Sequence, residues 1–291
     1  MRVLAPRAAH SDAAAEIDTK EGRSMKRLLK LIACTSSALL VCISAASAAG
    51  SHRLATGSVV VPHGQPVQIA LADDFTGTVA AFGPSVENAV RLAVVGHPDV
   101  HGFSIQLNVV DTPCGDHAAD VAAASAIVAN SQNVGVLGQL CSAGFDQALP
   151  IYQQAGIVVI SGSATDDSLP PFGPTVFNRT AVSNGDGGTA WYAQVKALPD
   201  DLAWRGAYAD LFGTPPMDYA DLYYDATRVL IRNLEATAFV NAQGNLVINR
   251  ALLASAVRHT TNLNGISCTI TIDPKTGNRV NDPTALRQCA S

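Results

Sequence analysis

The stretch GVLGQLCSAG (135–144) is an apolar run that stops abruptly at a cysteine, a serine and two tiny residues. A second stretch, IVVISGSATDD (157–167), repeats the pattern of an apolar run followed by small hydroxyl residues. Between them GFDQALPIYQQAG (144–156) has apolar residues at helical spacing and a glycine stop. Strand, helix, strand in this order implies parallel strands joined by a right-handed crossover, both ending in polar tips. Ligands of such sheets bind beyond the carboxyl ends of the strands.

The alternation continues outward from this unit. VQIALADD (67–74) is a short apolar strand ending in acid, and GPSVENAVRLAVV (83–95) carries apolar residues at helical spacing after a Gly-Pro start. FSIQLNVVD (103–111) is the next strand and DHAADVAAASAIVAN (116–130) a helix of high propensity. NVGVLGQL (133–140), IVVIS (157–161) and TVFNRT (175–180) complete five strands, so the fold class is α/β, a Rossmann-like parallel sheet flanked by helices. Beyond Thr175 the pattern changes. Helices are predicted in NGDGGTAWYAQVKALP (184–199), AWRGAYADLFG (203–213), the long amphipathic PPMDYADLYYDATRVLIRNLEAT (215–237) and RALLASAVRHT (250–260), with a strand in SCTITID (267–273).

The chain has 291 residues, is 48% hydrophobic and 15% charged, and carries a formal net charge of −5. That composition is globular and offers no basic field to hold nucleic acid or an anionic membrane surface. MKRLLKLIACTSSALLVCISAASAAG, from Met25, has a basic start, an apolar stretch and an Ala46-Ser47-Ala48 end. It reads as a secretory signal (25–48) cleaved after Ala48 rather than a membrane anchor, because its apolar core is short and diluted by Thr and Ser. A lipoprotein box at LIAC (31–34) ranks second. Residues 1–24 are polar and patternless, an expected spurious extension that makes Met25 the true start. Export to the periplasm leaves Cys114, Cys141, Cys268 and Cys289 in an oxidising compartment, where disulfides are favoured over free thiols or a metal site. Four cysteines allow three pairings.

The ordered set IALADDFTGTVAAFG, DTPC, GQLCSAG, IVVISGSATDDSL, FNRT, YYDA and TITID…TGNR resembles the type I periplasmic solute-binding proteins of ABC importers, in their leucine/isoleucine/valine and amide-binding branch. The match runs from about Val67 to Ala197, resumes near Ala203 and persists to about Val280. The resemblance implies two α/β lobes that close on a ligand as jaws, the first holding the ligand's α-amino and α-carboxylate groups with two strand tips. It places Ser142 on the carboxylate, the backbone carbonyl of Ser163 on the ammonium, and the hydroxyl and N–H of Thr165 on the ligand. Ala143 and Gly144 are small enough to let a ligand reach the backbone, where the start of a helix favours a carboxylate. The alternative for Ser142 is that it caps this helix. Phe82, in VAAFG, matches an aromatic position lining the ligand's side-chain pocket, with ordinary packing as its alternative. The resemblance also pairs Cys114 with Cys141, which leaves Cys268 for Cys289. Asp73 and Asp74, neighbours on an extended chain, point to opposite sides and make a poor catalytic pair. Tyr223 and Tyr224 read as core of the returning helix.

The chain departs from that pattern after Ala197. KALPDDLAWRGAYADLFG (196–213) leads directly to the helix that returns to the first lobe, so about a hundred residues of the second lobe are expected to be missing. The expected organisation is 49–182 as the first part of lobe 1, 183–201 as a hinge and remnant of lobe 2, 202–280 as the return to lobe 1, and 281–291 as a tail. The face where a second lobe would pack is expected to be open and prone to self-association. The function read from this is the periplasmic substrate-binding component of an ABC transporter, weakened by the loss. Its expected partners are an amino acid or amide ligand and permease subunits, with no cofactor and no metal. The alternative is a sensory or interaction module, or a non-transporting remnant. An enzyme is not expected: SGSATDD is no G-x-S-x-G elbow, GDGGTA lacks the lysine of a phosphate loop, and no metal-binding His pair occurs.

Overall fold

Strand β2 (Val67–Asp73) is apolar at every position except Gln68 and its final aspartate, the composition of a strand covered on both faces. The computed structural model describes residues 57–169 and 176–291, and in it β2 is the central strand of the main sheet. The signal and extension read in residues 1–48 lie outside the described residues. β2 pairs in parallel with β4 (Phe103–Asp111) on one side and β5 (Asn133–Gly138) on the other. β6 (Val158–Ser161) and β7 (Phe177–Arg179) extend the parallel array beyond β5, and β3 (Asp99–Val100) closes the opposite edge antiparallel to β4. The chain thus leaves β2 for β4 on one side and returns to β5 on the other, which makes the tips of β2 and β5 a topological switch point.

Alternate residues of β2 feed two cores, as the two-residue period of a strand requires. Ile69 and Leu71 pack with Val86 and Val90 of helix α1 (Gly83–Gly96), while Ala70 and Ala72 face the layer of α2 (His117–Ala129) and α3 (Ser142–Ala155). α2 starts where the Asp116 carboxylate accepts a hydrogen bond from Ala119 N at 3.0 Å, and α3 ends at Gly156 in the left-handed conformation.

The second half of the chain wraps this sheet. Helices α4 (Gly188–Val195) and α5 (Pro199–Phe212) lead into α6 (Ala220–Thr237), whose Tyr223, Ala226, Val229, Leu230 and Leu234 are buried at helical spacing on the first core. Burial of each large aliphatic side chain in such a stripe contributes about 1.5–3 kcal/mol. β8 (Phe239–Val240) and β9 (Leu246–Asn249) then form an antiparallel sheet with β1 (Ser58–Val61), followed by α7 (Arg250–Arg258). The hairpin β10 (Leu263–Gly265) and β11 (Cys268–Ile270) and the short helix α8 (Pro283–Cys289) end the fold. SCTITID therefore forms a shorter strand than its alternation predicts, continued only by a bridge between Ile272 and Arg279.

Over the stretch read as a hinge and remnant of a second lobe, the described residues form α4 and the start of α5, which pack on the rest of the fold. Trp204 and Tyr208 of α5 are buried with Ala89 of α1 and Ala220 of α6. Arg205 donates to Asp201 at 2.7 Å and to Asp221 at 2.9 Å, and Tyr192 Oη donates to Asp221 at 2.9 Å, which ties α4, α5 and α6 through charge-assisted bonds. The boundary drawn between residues 201 and 202 runs through α5 and through this network. Leu202 and Leu211 of α5 and Met217 before α6 remain exposed.

Disulfides join Cys114 to Cys141 and Cys268 to Cys289, each with a Cα–Cα distance of 5.8 Å. The first links the loop after β4 to the residue that precedes α3. The paired substitution Cys114→Ala/Cys141→Ala should lower unfolding free energy in urea by about 3.5 kcal/mol, the loop-closure value for a separation of this size. An unchanged denaturation midpoint would show that packing alone holds these two tips together.

Candidate ligand-binding site

The backbone ladder between β5 and β6 stops at the Leu137–Ile160 pair. Beyond it hydroxyl side chains take over. Ser161 Oγ donates to the Gln139 carbonyl at 2.8 Å and accepts from the N–H groups of Ser163 (3.2 Å) and Ala164 (3.0 Å). Ser163 Oγ donates to the Leu140 carbonyl at 2.8 Å and lies 3.2 Å from Tyr223 Oη. The small hydroxyl residues after both apolar runs are thus the stitches that hold two strand tips side by side. Gly162 fits between them because a Cβ there would lie 2.5 Å from the ring of Tyr223.

α3 begins directly after the β5 tip. Its first internal bond runs from Phe145 N to the Cys141 carbonyl at 3.2 Å, so the N–H groups of Ser142, Ala143 and Gly144 have no acceptor within the helix. Cys141 occupies the N-cap position and no side chain caps the helix, so Ser142 does not serve as its cap. Ser142 Oγ instead accepts from Asp166 N at 3.2 Å, a bond from the β5 tip to the β6 tip. Ser142 is half-buried and Ala143 exposed, at a helix start whose dipole favours an anion.

The β6 tip supplies the opposite polarity. With the hydroxyl of Ser163 committed to Leu140, its carbonyl accepts no hydrogen bond from another described residue. Thr165 is half-buried, its carbonyl accepts from Asn184 N at 2.9 Å, and its hydroxyl bonds to no described protein group. The structure therefore brings Ser142, Ser163 and Thr165 onto adjoining tips. Phe82 stands on the neighbouring β2 side, immediately before α1, half-buried and packed on the main core together with Cys141. Its packing role is visible in the fold.

Asp73 and Asp74 have separate surroundings. Both are wholly buried. The Asp74 carboxylate accepts from the N–H groups of Gly77, Val79 and Cys114, which shapes the loop before α1 and anchors it to the disulfide. Asp73 Oδ1 accepts from Asp74 N at 2.8 Å, while Oδ2 has no hydrogen-bond partner among the described residues. Burial is the main reason its carboxyl is pushed up to about 8, aided by the nearby charges of Asp74 and Asp111, so it holds its proton at neutral pH.

Two residues of the site's support were not assigned a part in it from the sequence. Tyr223 is core, as read, with its ring wholly buried, but its hydroxyl also reaches Ser163. Arg179, met only as a letter in FNRT, is wholly buried beneath the β6 tip. A charged residue inside a short strand was the one available signal. Among the described residues no group of three or more His, Cys, Asp or Glu side chains could hold a metal ion, and no helix is long and apolar enough to cross a membrane.

Residues 66–195 match the family model described as "Periplasmic binding protein". The Leu/Ile/Val-binding protein of Escherichia coli K12 is 28% identical over 144 residues, covering 48% of this chain and 39% of the relative. The chain thus matches about two fifths of the length of its curated relatives. Among solved structures, a putative branched-chain amino acid ABC transporter protein from Rhodospirillum rubrum aligns with a TM-score of 0.62 at 15% identity, over 75% of this chain and 96% of that one. A leucine-binding protein from Thermotoga maritima aligns with a TM-score of 0.61 at 16% identity, over 74% and 93% respectively.

The titration of Asp73 provides a check on the site's interior. An unfolded aspartate releases its proton near pH 4, whereas the folded chain keeps this one to about 8, so Asp73 lowers stability progressively as pH rises between those values. Asp73→Asn, which cannot ionise, should gain stability relative to the unsubstituted chain from pH 4.5 to pH 8 in urea denaturation. A difference that stays flat with pH would show that the folded carboxyl ionises as freely as the unfolded one.

Proposed function

We propose that this chain, which carries a type I periplasmic-binding-protein domain homologous to Leu/Ile/Val-binding proteins, binds the α-amino and α-carboxylate groups of an amino acid of branched-chain type, or a related amide, at the tips of β5 and β6. The observation that carries this reading is the polarity of the two tips. Three helix-start N–H groups and the Ser142 hydroxyl suit a carboxylate, while the open Ser163 carbonyl suits an ammonium. Thr165 supplies a free hydroxyl between these roles. Phe82 is the aromatic wall for the ligand's side chain.

In this reading the protein is the periplasmic substrate-binding component of an ABC importer, delivering its ligand to permease subunits after export directed by residues 25–48. Lobe 1 holds the ligand and residues 183–201 stand where a second lobe would begin. A half cleft leaves polar contacts partly in water, where each contributes about 0.5–1.5 kcal/mol, so affinity falls toward the millimolar range. One observation favours a sensory or interaction module instead: the two-helix cap of α4 and α5 is packed on the first lobe and offers no jaw to close.

Calorimetric titration with leucine, isoleucine, valine and small amides should give saturable binding, weakened about tenfold by Ser142→Ala and by Thr165→Ala. A folded chain that binds none of them at millimolar concentration would remove the uptake reading and leave the interaction module.

A further inference from the structure

Arg179 ends β7 and is wholly buried, yet no carboxylate among the described residues lies within ion-pair distance of it. Its guanidinium is satisfied by neutral oxygens. Nη1 donates to the carbonyls of Ala164 (2.8 Å) and Asp166 (2.9 Å), Nη2 to that of Leu169 (3.1 Å), and Nε to Asn278 Oδ1 (2.9 Å). Three of the four acceptors belong to 164–169, the segment that carries Thr165 and the Asp166 N–H bound by Ser142. The fourth comes from the turn 273–278, which also receives Arg179 N at the Gly277 carbonyl, 3.0 Å away.

A planar fork with fixed donors can hold several carbonyls in one arrangement, which a lysine ammonium cannot reproduce. Burial of this charge is costly and pulls its pKa down to about 10, while the more distant Asp166, Asp167 and Asp186 counteract the fall. The other ties from the loop to its surroundings are single bonds: Ala164 N to Ser161 Oγ, Asp166 N to Ser142 Oγ, Asn184 N to the Thr165 carbonyl, and Gly185 N to Asp167 Oδ1. We infer that Arg179 is the positioning residue of the strand-tip site, holding 164–169 in its binding arrangement without touching the ligand. This rests on the ligand reading proposed above. A loop that is already ordered does not have to be ordered at the moment of binding, so its affinity depends on the clamp.

Arg250 is the matched control. It is also buried and donates through Nη2 to backbone carbonyls, of Ser131 (3.0 Å) and Asn133 (2.8 Å), but at the opposite end of the sheet. Arg179→Lys, Asn278→Ala and Arg250→Lys would be compared by thermal unfolding, amide hydrogen exchange and calorimetric titration with leucine. Arg179→Lys should accelerate exchange in 164–169 at least tenfold beyond the rest of the chain and weaken leucine binding about tenfold. Asn278→Ala, a milder change less exposed to misfolding, should shift both in the same direction. Arg250→Lys should lower the unfolding temperature while leaving affinity within twofold. If the unsubstituted chain binds leucine and Arg179→Lys binds it equally well, the inference is overturned. If the unsubstituted chain binds no amino acid or amide, the ligand reading fails, and the clamp is then judged by exchange alone: uniform protection across 164–169 in both Arg179→Lys and Asn278→Ala would overturn it too.

Discussion

Everything at the candidate site depends on how two parallel strands stay together after their backbone ladder has ended. Past Leu137 and Ile160 the strands no longer exchange N–H and C=O bonds, and buried carbonyls left without donors would be costly. Ser161 and Ser163 resolve this by donating to the carbonyls of Gln139 and Leu140. With their hydroxyls occupied in this way, backbone groups remain for a ligand: the N–H groups opening α3 and the carbonyl of Ser163. Small residues at the tips are needed both for the stitching and for access. Gly162 admits the Tyr223 ring, which in turn braces Ser163 from the helix α6.

The second constraint is the treatment of charge. The described fold buries several arginines and aspartates and half-buries Arg205, and each is met differently. Asp74 is surrounded by backbone N–H groups, Arg179 by carbonyls, Arg205 by two carboxylates, and Asp73 by almost nothing, so that it keeps a proton. The Arg205 network matters for architecture because it ties α4, α5 and α6 together.

Much of the first half was legible because strand and helix periods act locally. Alternation in β2, the glycine stop after α3 and the Asp116 cap each announce themselves within a few residues. Ser142, Ser163 and Thr165 entered as candidates through resemblance, with the polar ends of the apolar runs in support. What was not legible is tertiary. That Ser142 bonds Asp166 rather than capping α3, that Tyr223 reaches Ser163 across 60 residues, and that Arg179 gathers three carbonyls are outcomes of packing between distant segments. The packing of α5 was missed for a related reason: α5 has a weakly segregated surface, and its partners on α1 lie more than a hundred residues away.

The central claim is that the β5 and β6 tips form a receptor for the α-groups of an amino acid. The most direct measurement is a leucine titration of the 15N-labelled, oxidised chain followed by its amide spectrum. Saturable shifts are expected at Ser142, Ala143, Gly144 and Thr165, with the foot of the sheet around Asn133 and Arg250 unmoved. Shifts centred elsewhere, or none at saturating leucine, would contradict it.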